Sequence, residues 1–490
     1  MSAQAPRDLF INGRTVGGEG ETFTVVNPGT EAVVAEIAGA SAAQVEAAIA
    51  AARAACDSGL WSGLPAAERA AALRRLMAYL ASQRERILQL VVQEGGCPVG
   101  SGTLFAQVHA PLQHGLDVID LFLSLPEFEE NPVPFGDRIT ARGVTQSVRR
   151  HAPLGVVAAI SAYNAPFYIN VWKVLPALIA GNCVILRPSP LTPLSALIFS
   201  EAAAAVGLPP GVLNVIAEAG AAGAVTLSTH PAVDMVAFTG SSAVGKQLMS
   251  QAAPTMKRLQ LELGGKSAQI YMPDSVAQAA TAAAQVCLAH AGQGCVLGTR
   301  IFVPEADKAR AMEAMAAALS GVVFGDPADP KTTMGPVISA AQRDRCQHFV
   351  DLAVAAGARV VCGGKRPEAL TKGFFFEPTI LDTPDNSNPA AQEEIFGPVV
   401  SVIGYRDLDH AVEMANDSPY GLSGYVYGKD AKQASAVAAR LRTGTVNVNG
   451  GMFSAYASSG GWRSSGLGRE RGVEGLRVYQ QVQVMNVQGA

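Results

Sequence analysis

A chain of 490 residues is too long for one hydrophobic core and is expected to divide into two or three domains. It is 49% apolar and 16% charged, which argues against disorder, and a net charge of −4 with acids and bases interspersed leaves no basic face for nucleic acid. The seven cysteines are odd in number without a CxxC pair, and the seven histidines include no HExxH, so neither a disulfide frame nor a zinc site is suggested.

The start, Met1 to Asp8, has no basic stretch followed by an apolar run and reads as no secretory signal. From Phe10 to Val33, short alternating runs separated by glycine-rich turns predict a small antiparallel arm. Helical periodicity follows over 42–57, 66–94 and 103–124, punctuated by Pro65 and Pro98. Between Pro126 and Arg150, acidic and turn residues give way to alternating strands, a β-ribbon that would be marginal alone. The tail from Val478 alternates in the same way, and ribbon and tail are expected to pair. Pairing across a subunit interface and pairing within the chain are equally compatible with the pattern.

From Gly155 to Glu262 apolar strands (156–161, 183–187, 213–216, 235–238, 258–263) alternate with helices. Strands apolar on both faces, linked by crossover helices, predict the doubly wound parallel α/β plan with its ligand crevice at the strands' carboxyl ends. The longest apolar stretch, Val156 to Leu186, is broken by Asn164, Asn170, Lys173 and Asn182, which argues against a membrane span and for a cytoplasmic protein. Thr239 to Gly245 then opens a helix as a phosphate site would, although GSxxxG is not the GxGxxG fingerprint and such a start is commonly only a cap. A second α/β unit follows Ser267, with helices at 275–291, 305–319, 340–356, 407–416 and 430–441. Its strands are expected near 300–303, 376–381, 398–404, 423–427 and 444–448. Long connectors over 325–339, 384–396 and 449–471 are the kind that carry functional loops.

One stretch carries chemistry. In Gly292-Gln-Gly-Cys-Val-Leu-Gly-Thr-Arg300, Cys295 sits among glycines where an apolar run meets a turn, and Glu262 stands upstream in Leu261-Glu-Leu-Gly-Gly-Lys266. A thiol attacks as thiolate, and small neighbours with open N–H groups lower its pKa and leave room for a carbonyl. A lone cysteine is more often a core residue, so the assignment depends on the company Cys295 keeps.

That company consists of Tyr163-Asn-Ala-Pro-Phe167, Phe238-Thr-Gly-Ser-Ser-Ala-Val-Gly245, Leu261-Glu-Leu-Gly-Gly-Lys266, Gly292-Gln-Gly-Cys295, Glu394-Ile-Phe-Gly-Pro-Val399 and Ser465-Gly-Leu-Gly-Arg-Glu470. In this order and spacing the six motifs resemble the aldehyde dehydrogenase superfamily over essentially the whole chain. The resemblance implies an NAD(P)-binding domain from 1–125 and 151–260, a catalytic domain from 261–460, and an oligomerisation arm from 126–150 and 472–490 of a homodimer or homotetramer. It implies Cys295 as nucleophile, Glu262 as base for thioester hydrolysis and Asn164 as oxyanion donor. Cofactor contacts are implied at Ile160, Ser161, Tyr163, Arg187, Ser189, Gly240, Ser241, Gly245, Leu263, Gly264, Glu394 and Phe396.

Departures from the family pattern bear on cofactor and substrate. Arg187-Pro-Ser-Pro190 replaces the usual Lys-Pro-Ser-Glu, which removes a ribose-binding carboxylate and leaves an arginine able to grip a 2′-phosphate, so NAD is expected with NADP as the alternative. Small residues at Ala165, Gly294 and Val296 suggest a widened tunnel walled by Tyr168, Trp172, Phe453 and Tyr456, without a cation for a carboxylate, and hence an apolar aldehyde. A coenzyme-A-acylating relative would lack Glu262. A cofactor-free cysteine hydrolase would need His290 as base.

Overall fold

A computed structural model of the chain describes residues 5–134, 137, 139–140, 143–451 and 454–488. Phe453, together with Arg138, Ala141 and Arg142 of the ribbon and the last two residues of the tail, lies outside them.

The first sheet has eight strands in the order Arg14–Val16, Leu9–Ile11, Leu213–Val215, Cys183–Arg187, Val156–Ile160, Met235–Thr239, Arg258–Glu262 and Gly466–Leu467. Its five central strands run parallel. Val156–Ile160 and Cys183–Arg187 are buried at every position, because the helices Pro166–Ile179, Leu194–Val206 and Ser242–Ala252 provide crossovers that cover both faces. The chain builds outward from Val156–Ile160 through Cys183–Arg187 to Leu213–Val215, then returns to place Met235–Thr239 on the other side of Val156–Ile160. Between those two strands the order reverses, which is where a doubly wound sheet opens its crevice.

The N-terminal arm differs from expectation. Leu9, Phe10 and Ile11 are all buried, so this strand has no solvent face and joins the sheet edge through Phe10 opposite Val215, leaving Arg14–Val16 as the exposed outer strand; only Thr22–Val26 and Val33–Ala38 form a separate hairpin. The single helix expected over 66–94 is two, Ala66–Ser82 and Arg84–Gly95, because Gln83 leaves the helical region at φ −94°, ψ 9°.

A second sheet of seven strands runs in the order Arg359–Cys362, Thr379–Asp382, Val399–Tyr405, Arg300–Pro304, Ala268–Tyr271, Ser423–Tyr427, Thr445–Val448. All of its pairings are parallel except the first.

The ribbon and the tail pair within the chain: Gln480–Gln488 lies antiparallel to Gly143–Pro153, from Gln480 opposite Pro153 to Gln488 opposite Thr145, and the cross-subunit alternative is set aside. The reason lies in how the tail is delivered. Asn182 Nδ2 donates to the Tyr479 carbonyl at 3.0 Å and Arg258 Nη1 to that of Gln480 at 2.6 Å, so the tail is tied to its own first sheet where the strand begins. Glu129 adds an ionic clasp to Arg149 and Arg477 at 2.6 and 2.8 Å. Among the described residues no helix is long and apolar enough to cross a membrane.

Candidate active site

Cys295 follows a turn that only an unusual backbone can make. Helix Gln278–Leu288 ends in Ala289–Gly292, where His290, Ala291 and Gly292 take φ of 49°, 52° and 74°. At Gly292 a Cβ would also collide with the Gly397 backbone, so both conformation and space require glycine. Gln293, buried at 1% exposure, then locks the chain: its Nε2 donates to the His290 carbonyl at 3.0 Å and its Oε1 accepts from Ile338 N at 2.9 Å. Its own carbonyl accepts from Asn164 Nδ2 at 3.0 Å, which brings the predicted oxyanion donor to the nucleophile's turn. Beyond the cysteine, Tyr425 Oη donates to the Val296 carbonyl at 2.8 Å. Gly265 closes the other side, because a Cβ there would strike the Cys295 carbonyl.

The thiol is half-buried. Burial, followed by the carboxylates of Glu394, Glu262 and Glu470, pushes it up to about 12, so at neutral pH it is protonated and needs a base. Glu262 ends the strand Arg258–Glu262, level with Thr239 on one side and Gly466 on the other. Burial and the nearby Glu470 hold its carboxyl well above the usual range, opposed by Lys173, Arg469 and a hydrogen bond from Gln260. Lys266 is buried beside Glu394 and Glu393, and desolvation lowers it to about 7. Lys173 is likewise buried and not solvated, 3.0 Å from Glu470 Oε1.

On the crevice side, Ile160 ends one central strand with Ser161 just beyond it, and Thr239 ends the next with Gly240 just beyond. The hydroxyls of Ser161 and Thr239 are buried without a hydrogen-bond partner among the described residues, at the switch point where a dinucleotide would lie. Ser241 caps helix Ser242–Ala252 by accepting from Val244 N at 3.3 Å, and Gly245 lets that helix lie against Leu263. Glu394 accepts from Gly265 N at 2.8 Å beside Gly264, and burial raises it to about 7. Phe396, at φ 60°, meets the Tyr163 ring edge-on at 5.9 Å. Ser189 is spent on its own turn, accepting from Leu191 N at 3.3 Å.

Arg187 does not stand ready for a 2′-phosphate. Its Nε donates to Glu218 at 2.8 Å and its Nη2 to the Gly220 carbonyl, at 6% exposure, while Glu218 also accepts from Gly223 N and Ala224 N at 2.6 and 3.0 Å. The ion pair satisfies the guanidinium within the fold.

The substrate side needs two corrections. Asn164, Tyr168 and Trp172 recur at four-residue spacing, the last two on helix Pro166–Ile179, with rings 6.3 Å apart. Against expectation a cation lies on these walls: the Arg471 guanidinium stands over both rings, at 5.4 and 5.3 Å, and donates to Tyr168 Oη. Arg471 directly follows the last motif, and nothing in the sequence places it across from residues 168 and 172. Tyr456 is 54% exposed in the field of Asp117 and Asp120, so it stands at the surface and not in a buried wall. Gly294 and Val296 are the chain neighbours of Cys295.

A family model described as "Aldehyde dehydrogenase family" matches residues 15–485. The chain belongs to the aldehyde dehydrogenase family. It is an enzyme, an NAD(P)-dependent oxidoreductase of aldehydes, on the aldehyde dehydrogenase fold. Geranial dehydrogenase of Castellaniella defragrans is 37% identical to this aldehyde dehydrogenase over 474 residues, 96% of this chain and 97% of that protein. A C-to-A mutant of aldehyde dehydrogenase C from Pseudomonas syringae, solved with NAD+ and octanal, superposes with a TM-score of 0.91 at 36% identity, covering 98% of this chain and 96% of that one. Betaine aldehyde dehydrogenase from Staphylococcus aureus, solved with NAD+, gives 0.93 at 34% identity, covering 99% and 95%.

The sequence motifs of this aldehyde dehydrogenase singled out Cys295, Glu262 and Asn164, and the fold brings the three near one another. They left unread Gln293, Tyr425, Gln260 and the Lys173–Glu470 pair. A signal existed for Lys173, since a single lysine inside the apolar run Val171–Leu175 requires a buried partner. His290 is buried with neither ring nitrogen hydrogen-bonded among the described residues, and burial lowers it to about 4, which removes the thiol–imidazole pair a hydrolase would need.

Proposed function

We propose that the protein oxidises an aldehyde to its carboxylic acid through an acyl adduct on Cys295, with Glu262 as general base and Asn164 as oxyanion donor. The observation that carries this reading is the Asn164 amide bonded to the Gln293 carbonyl, two residues before a thiol that lies within the charge field of Glu262. Glu262 takes the thiol proton, and Sγ adds to the aldehyde carbon. The oxyanion is received by Asn164 Nδ2 and the Cys295 N–H, donors typically worth about 3 to 4 kcal/mol each.

NAD+ supplies the hydride acceptor when bound. The unpartnered hydroxyls of Ser161 and Thr239, the helix start at Ser241 and the Glu394 carboxylate fit such a dinucleotide. With Arg187 occupied by Glu218, the argument for a 2′-phosphate loses its arginine and NAD is the reading we favour. Collapse of the adduct leaves a thioester; Glu262 gives up the thiol proton to solvent, then removes a proton from the water that cleaves the thioester and returns that proton to Sγ. One water is consumed, and the acid leaves as Sγ regains its proton.

The substrate we assign is an apolar aldehyde, in line with the relatives named for geranial and solved with octanal. We place the cofactor domain at 1–125 and 151–260, the catalytic domain at 261–460 and the arm at 126–150 and 472–490, in a cytoplasmic homodimer or homotetramer. Val482, Val484 and Val487, more than half exposed on an edge strand, support self-association. The deciding assay follows NAD(P)H absorbance on adding aldehyde, with and without coenzyme A, for the parent and Cys295→Ala. Turnover without coenzyme A that vanishes in the variant supports the mechanism; equal activity in the variant ends it.

A further inference from the structure

We propose that Gln260 is a positioning residue for Glu262, an amide strap that ties the base's carboxylate to the Lys173 ammonium and holds it charged. The inference rests on the reading of Glu262 as the base.

Residues 260 and 262 stand two apart on the strand Arg258–Glu262, so their side chains share one face of the sheet. Gln260 is fully buried, as is Lys173. Lys173 Nζ donates to Gln260 Oε1 at 3.3 Å, and Gln260 Nε2 donates to Glu262 Oε1 at 3.3 Å. The chemistry of the partners fixes the amide: an ammonium only donates and a carboxylate only accepts, so no flipped orientation satisfies both. Gln260 thus presents an N–H to the base and, through its carbonyl, leans on a cation that Glu470 holds at 3.0 Å. The ionisable groups facing Glu262 are Glu470, Lys173, Arg469, Tyr479 and Cys295. Gln260 is the neutral donor among its neighbours, and a hydrogen bond to the charged form favours that form.

The sign of the effect follows. A base works deprotonated, so thioester cleavage rises with pH through the Glu262 pKa. Removing a donor that favours the carboxylate moves that rise to higher pH. Gln260→Met keeps the volume and deletes both bonds; Gln260→Glu keeps the shape and sets a second carboxylate against Glu262.

The test loads acyl-Cys295 in a single turnover and follows its decay by intact mass from pH 5.5 to 9.5. Gln260→Met should shift the midpoint upward by about one pH unit, and Gln260→Glu by more, with the acyl adduct still formed and the rate recovering at high pH. An unshifted midpoint, or a loss equal at every pH, overturns the proposal, and a melting temperature for each variant shows that the fold has survived. Glu262→Gln separates the two readings. Should that variant cleave the thioester as the parent does, the base assignment itself fails; should it stall while both Gln260 variants keep the parent midpoint, only the strap fails.

Discussion

The proposed mechanism puts the charge stabilisation on one side-chain amide, that of Asn164, which the fold ties to the Gln293 carbonyl. Asn164→Ala should lower kcat by about 100- to 1,000-fold, the usual cost of an oxyanion donor, while the melting temperature stays near the parent's. Glu262→Gln is expected to leave acyl loading detectable by intact mass and to arrest release, and the parent should lose turnover as pH falls into the raised range of Glu262, well above that of an ordinary carboxylate. Turnover that persists down to the ordinary range would contradict that assignment. Arg471 offers a further check. It holds φ 61°, ψ 169°, a conformation nearly reserved for glycine, while its guanidinium packs on two rings. Arg471→Gly should relieve the backbone and raise kcat/KM for long apolar aldehydes relative to acid-bearing ones, read from a panel of matched pairs.

Among elements, the helix Leu194–Val206 begins at Pro193 without a cap of its own, and Glu94 from the end of Arg84–Gly95 serves instead, accepting from Leu194 N and Ser195 N at 2.7 and 3.0 Å. Glu94→Ala should cost about 1 to 2 kcal/mol in thermal or denaturant unfolding, as the loss of a good cap does. The central strands were legible from sequence because Val156–Ile160 and Cys183–Arg187 are apolar throughout, a pattern that only two covered faces permit. Ala268–Tyr271 was not, because four residues directly after a glycine loop are too short to show a period. The tail's alternation announced a strand and pointed to the ribbon as its partner, but not whether that ribbon belonged to the same chain; that was decided by Asn182 and Arg258, which lie far away in sequence. Arg187 misled for the same reason, since Glu218 reaches it only through the fold.

Across the whole molecule, two mainly parallel sheets meet around Cys295 and a third is built from the ribbon and the tail. The motif residues that sequence resolved best are those whose function is local to a turn; the contacts it missed, Lys173 to Glu470 and Arg471 to Tyr168, join segments about three hundred positions apart. Among the described residues no further strand lies against the outer side of the tail strand in the third sheet. Val484→Lys should reduce the assembled mass measured by light scattering, while an unchanged mass would place the contact elsewhere.

Glu470, which grips Lys173 beside the base, is joined to that outer edge by a single short helix, Gly472–Arg477. A partner docked on the rim would therefore pull on a leash whose other end is fastened beside Lys173, in the neighbourhood of Glu262. Dilution that frees the rim should be felt first as a drift in acid–base behaviour, before any aldehyde or dinucleotide loses its grip.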